Sequence, residues 1–166
     1  MDNTINQYGI EGRLAPELNI PQWIDGNGNE TEPIYLRDFK GKYIVLFGFQ
    51  AWCKGCHTHG FPALQKMEEA LKDNDKVQFL AIQTVFEGAE ANTFERLKEI
   101  QQEYNLKIPF GHDIGDASTG NISSTMHNYR TGGTPWIVLI DRKGRVVFND
   151  FHLNVENAIG FLKKLR

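Results

Sequence analysis

Seven consecutive residues, 43–49, are apolar apart from one glycine and read as a buried strand: the run is short, rich in aromatic and β-branched side chains, and broken at both ends. Past it the period changes. Phe61, Leu64, Met67 and Leu71 recur at helical spacing, which predicts a helix from about residue 56 to 71. Pro62 lies inside it, and either kinks it one turn past Cys56 or marks a restart. Residues 77–85 read as a second apolar strand. After a loop over 87–92, Asn92 followed by Glu95 has the form of a capping box. Phe94, Leu97, Ile100 and Tyr104 then space an amphipathic helix, with Asn105 as its C-cap. Residues 108–110 form a short extended piece, 115–120 a loop and 123–129 a short helix. A third apolar strand, 136–140, is followed by a turn at 141–144 and a strand at 146–148 that pairs back. Asn154 caps a last helix that turns Val155, Ala158, Ile159, Leu162 and Leu165 inward.

Ahead of the first strand, residues 1–33 are polar and turn-rich. The run Asp25-Gly26-Asn27-Gly28-Asn29 is a strong turn signal and predicts a hairpin with short strands on each side. Residues 36–39 predict one turn of helix. Strands and helices alternate first, which argues for parallel strands with crossover helices, and the terminal hairpin adds an antiparallel edge. The expected architecture is therefore α/β: one domain over residues 1–166, a central mixed sheet flanked by helices, and an N-terminal hairpin extension at 1–35.

Composition narrows the setting. The chain has 166 residues, 40% hydrophobic and 23% charged, which suits a globular domain with a sizeable core. A net charge of −3 gives no reason to expect nucleic-acid binding. No apolar run is long enough to span a membrane. The start, Met1-Asp2-Asn3-Thr4-Ile5-Asn6, lacks the charged and apolar regions of a signal peptide, so the sequence as it stands reads as cytoplasmic. A trimmed exported protein, periplasmic or otherwise extracytoplasmic, is the alternative.

The two cysteines, Cys53 and Cys56, make one functional pair rather than a disulfide framework. They sit where the strand gives way to the helix. At a helix start the first sulfur lies near unpaired backbone N–H groups and the positive end of the dipole, which lowers a thiol pKa and favours the reactive thiolate. An exposed Lys54 beside Cys53 acts in the same direction.

The stretches Leu36-Arg37-Asp38-Phe39-Lys40-Gly41-Lys42, Ala51-Trp52-Cys53-Lys54-Gly55-Cys56, Gly133-Thr134-Pro135 and Ile140-Asp141-Arg142-Lys143-Gly144 carry a resemblance. Over roughly residues 9–165 the chain resembles the thioredoxin-like superfamily, and within it the TlpA-like thiol–disulfide oxidoreductases and the related redoxin group. The resemblance implies a thioredoxin-like fold, with residues 86–106 as an inserted segment containing a helix. It implies a cis Thr134–Pro135 bond beside Cys53, and pairing of the Thr134 backbone with an extended substrate. Trp52 and Trp136 are expected to flank the disulfide. The implied activity is dithiol–disulfide exchange with protein thiols and disulfides and with a reductant or oxidant protein, needing no cofactor. Cys53 attacks, and Cys56 resolves the mixed disulfide.

Two departures stand out. The glutamate often found three residues after the second cysteine is His59, and the buried aspartate six residues before the first is Phe47. His57 or His59 is therefore expected to move protons for the resolving thiol.

Three other chemistries share these residues. Cys53-Lys54-Gly55-Cys56-His57 fits the c-type haem attachment pattern, with Met126 or Met67 as axial candidates. Cys53, Cys56, His57, His59 and His127 suit copper or zinc by ligand type, although 56, 57 and 59 point in different directions on a helix. A thiol peroxidase of the redoxin group carries threonine three residues before its cysteine, where this chain has Gln50. His112, His127 and His152 show no partner pattern.

Overall fold

A computed structural model describes residues 8–165. The first seven residues of the expected extension, and Arg166, lie outside it. Seven strands form one sheet in the order β2-β1-β5-β4-β3-β6-β7. They are β1 (Gln22–Ile24), β2 (Glu30–Thr31), β3 (Tyr43–Phe49), β4 (Val77–Thr84), β5 (Phe110–Asp113), β6 (Trp136–Ile140) and β7 (Val146–Asp150). The three central strands β3, β4 and β5 run parallel; β1, β6 and β7 run antiparallel to their neighbours. The helices are α1 (Phe61–Leu71), α2 (Phe94–Glu103), α3 (Ser124–Tyr129) and α4 (Val155–Lys163). The mixed sheet flanked by helices is the architecture expected.

Strand alternation splits the core in two. Val45, Phe47 and Phe49 of β3 face α1, α2 and α4, which bring Leu64, Met67, Leu97, Ile100 and Leu162 against them. Ile44 and Leu46 face the other way, with Leu80, Val138 and Trp136. Both faces of β3 are dry, which is why it reads as an unbroken apolar run.

The N-terminal segment covers part of the second face. Ile10, Leu18 and Ile20, from the stretch read as polar, are buried there beside Trp23 and Tyr129. The Tyr129 hydroxyl donates to the carbonyl of Pro16 at 2.6 Å and ties this segment to α3. The hairpin does form over the 25–29 turn, and β1 pairs with β5, so it extends the main sheet.

Several boundaries move; β7, for one, runs to Asp150 rather than 148. The last inner strand is Phe110–Asp113 rather than 108–110, because His112 and Asp113 are buried polar residues that an apolar pattern does not mark as strand. The N-cap of α2 is Thr93, whose side chain accepts from the Arg96 N–H at 3.1 Å, so the Asn92–Glu95 capping box does not form. Asn92 is buried instead. At the other end Tyr104 is the C-cap, and Asn105 follows it in the left-handed region at φ +49°.

Candidate active site

β3 ends at Phe49, and the chain turns through Gln50, Ala51 and Trp52, with the Cys53 N–H donating to the Gln50 carbonyl at 3.1 Å. Helical backbone starts at Lys54. Its first complete turn is wide: Cys56–Gly60 is a π-turn, closed by the Phe61 N–H on the Cys56 carbonyl. Pro62 accounts for this. It has no N–H to donate and its ring crowds the carbonyl four residues back, so α1 restarts at Phe61 with proline in its first turn. Gly60 allows close approach; a Cβ there would lie 2.8 Å from Phe47 Cζ and 2.9 Å from Pro135 Cβ.

Both thiols are free. Cys56 is fully buried, and Cys53 keeps 6% of its surface, which leaves Cys53 as the sulfur a substrate can reach. The Cys56 N–H points at Cys53 Sγ from 3.2 Å. Cys53 Sγ also lies 3.5 Å from the Thr134 carbonyl. The Cys53 thiol is lowered from its ordinary value near 9 to about 6. The hydrogen bond from Cys56 is the largest cause, opposed by burial and aided by Thr134, the Cys56 backbone and the charge of His57. Lys54, although exposed, is not among the groups that lower it. Cys56 is pushed strongly up, first by its hydrogen bond to Cys53 and then by burial. The pair is therefore split into an acidic outer thiol and an inner thiol that holds its proton.

The Thr134–Pro135 bond is cis. A Cβ at Gly55 would touch Pro135, so the ring covers the start of the helix. Beside it opens a cavity of about 420 Å³, lined by Gly55, His59, Gly60, Pro135, Phe151 and His152 among others. His59 is exposed on its rim. His57 is not free to shuttle protons: Nε2 meets the Ala51 carbonyl at 2.6 Å and Nδ1 meets the Tyr104 hydroxyl at 2.5 Å. Trp52 is 45% exposed; its ring packs edge-on to Phe86 and its Nε1 donates to the Glu87 carbonyl at 3.2 Å. Trp136 does not flank the pair. It packs on the opposite face of the sheet with Phe151 and Asn149.

The remaining histidines separate. His112 is buried, with Nδ1 2.9 Å from Gln83 Nε2, and burial lowers its pKa. His127 is exposed on α3. Among the described residues no three His, Cys, Asp or Glu side chains are grouped to hold a metal ion. Sequence reasoning missed Asn92 and Tyr104 at the site. Each meets its partner across 41 or 47 residues, and no local pattern reports such contacts.

Residues 12–149 match the AhpC/TSA family. The chain belongs to that family. It is 28% identical over 137 residues to thiol-disulfide oxidoreductase ResA of Bacillus anthracis, covering 82% of this chain and 70% of that protein. Among solved structures, a thioredoxin-like superfamily protein designated SPOA0173 aligns at 37% identity and TM-score 0.78, over 92% of this chain and 97% of that one. A thiol-disulfide isomerase from Corynebacterium glutamicum aligns at 33% and TM-score 0.76, over 92% and 98%. The fold is thioredoxin-like, and the chain is an oxidoreductase of the thioredoxin-like class.

Proposed function

We propose that this protein exchanges dithiols for disulfides on protein substrates through Cys53 and Cys56. The observation that carries the reading is the split pair: an outer sulfur held by a helix-start N–H beside the Thr134 carbonyl, and an inner thiol sealed beneath it. With the outer thiol at about 6, thiolate outnumbers thiol about tenfold at pH 7.

The Cys53 thiolate attacks one sulfur of a substrate disulfide. That S–S bond breaks, a mixed disulfide forms, and the departing substrate thiolate takes a proton from water. Cys56 then loses its proton and attacks Cys53 Sγ, which expels the second substrate thiolate. The substrate gains two electrons and the pair is oxidised to a disulfide, which a partner dithiol reduces. The Thr134 backbone pairs with the extended substrate chain, Pro135 packs under it, and Trp52 with Lys54 borders the approach. His59, on the open rim, is the better placed of the two expected proton carriers; His57 has both nitrogens occupied. Gln50 is buried, its Oε1 faces Asn92 and the Phe86 N–H, and it carries no hydroxyl for a peroxide.

Titration of the protein in glutathione buffers, followed by Trp52 fluorescence, tests the reading. A reversible two-electron couple is expected. Cys53→Ser should reduce insulin no faster than dithiothreitol alone, and Cys56→Ser should accumulate a mixed disulfide. Absence of a reversible couple in the unaltered protein would overturn the assignment.

A further inference from the structure

The segment between β4 and β5 grips the backbone ahead of Cys53 from two sides. The Ala51 N–H donates to Asn92 Oδ1 at 2.6 Å, and the Ala51 carbonyl accepts from His57 Nε2 at 2.6 Å. Asn92 is held in turn: its Nδ2 faces Gln50 Oε1 at 3.3 Å and the carbonyls of Glu87 and Gly88 at 3.1 Å each. His57 is held from the far side. Nε2 must carry a proton to meet a carbonyl, so Nδ1 of the neutral ring accepts from the Tyr104 hydroxyl, 2.5 Å away. Tyr104 stacks on Phe61 at 4.3 Å between centroids, and its carbonyl accepts from Gln65 Nε2 at 2.8 Å. Asn92 before α2 and Tyr104 at its end thus converge on one residue, two positions before Cys53.

We infer that Asn92 and Tyr104 are positioning residues that act through Ala51 and His57 to fix how Cys53 is presented and to keep the imidazole of His57 beside it. The inference rests on Cys53 being the nucleophile. Its physical basis is that a side chain fixed at both ring nitrogens has one orientation, whereas a half-exposed imidazole without Tyr104 turns toward water. The ionisable groups around this network are few. Cys53 faces Cys56 and His57; Tyr104 feels Glu103 and Arg96 of α2 and, more weakly, Cys56. The neutral ring held at both nitrogens pins the Ala51 carbonyl, and with it the turn that sets Cys53 Sγ against the Cys56 N–H and thiol; loss of that seat loosens these hydrogen bonds and raises the thiol.

Tyr104→Phe keeps the ring on Phe61 and removes the hydroxyl. The readout is the pH profile of iodoacetamide alkylation at Cys53 in the full, reduced chain, which needs no disulfide substrate. Failure of the exchange reading would therefore leave this test standing. The midpoint of Tyr104→Phe is expected to rise by about half a unit, slowing alkylation at pH 6 about twofold. In a His57→Ala background the same substitution should do nothing further, because the two act as one unit. Asn92→Ser, a shorter acceptor, should shift the midpoint in the same direction if the chain retains its circular dichroism and melting transition. A Tyr104→Phe profile that overlays the unaltered protein's would overturn the inference, as would a shift that persists without His57.

Discussion

Asp113 and Cys53 occupy equivalent sites and have opposite fates. Each follows or ends a parallel strand of the sheet, each is buried, and each receives N–H groups from the first turn of a helix. Asp113 is saturated. Its carboxyl oxygens accept from the N–H groups of Ser124 (3.0 Å) and Thr125 (2.7 Å), from the hydroxyls of Ser123 and Ser124, and from the Gly115 N–H. Cys53 has one N–H at 3.2 Å, a carbonyl at 3.5 Å and the other thiol. Helix-start donors serve both. Where every acceptor site is used the group is a rivet for α3; where one is left free the sulfur can still form a bond.

Substituting the rivet should give the largest effect. Asp113→Ala strands the Ser123 hydroxyl and two α3 N–H groups inside the protein, and we expect a loss of about 3 kcal/mol or more in urea unfolding. The Cys53 alkylation midpoint should not move. If stability held and the thiol shifted, the two sites would be coupled and the contrast would fail.

Gly60→Ala should come next and touch the other site. The added methyl meets the Phe47 ring and Pro135 below 3 Å, and relieving that overlap moves the π-turn away from β3 and Pro135. Overpacking of this kind costs about 1–3 kcal/mol. Unlike the aspartate change, it should also alter Cys53 alkylation, because the wide turn carries Cys56. A destabilised variant with an unaltered thiol would show that the turn bears on stability alone.

The same contrast explains what the sequence made legible. β3 and β6 were readable because both faces are dry and the apolar run is unbroken. β5 was not: Gly111 leaves room for the Trp23 ring, with a Cβ there only 2.9 Å away, while His112 and Asp113 are satisfied by partners distant in the chain. In the N-terminal segment the hairpin is legible from its turn, but the buried Ile10, Leu18 and Ile20 are not, because they follow no period; irregular backbone buries them one at a time. At the site, the cysteine spacing and the Thr134-Pro135 pair are local signals. Asn92 and Tyr104 belong to a separate loop and helix, and nothing in either stretch announces Ala51 or His57.

The smallest effect is also the most specific to a half-satisfied sulfur. Reduction of the disulfide takes up two protons below the Cys53 midpoint at about 6, where both thiols are protonated. Above it only Cys56 binds one, because its thiol is pushed up and stays protonated through neutral pH. With two electrons transferred, the potential should fall by about 59 mV per pH unit below the midpoint and by about 30 mV per unit above it. The sign follows from mass action: protons are consumed on reduction, so raising the pH favours the disulfide, less steeply once one thiol no longer takes a proton. A break in slope near pH 6, measured against glutathione, would place the acidic thiol in the redox pair itself. A constant slope of about 59 mV through pH 8 would mean that Cys53 remains a thiol, and its difference from a saturated buried group would then lie in access to solvent rather than in charge.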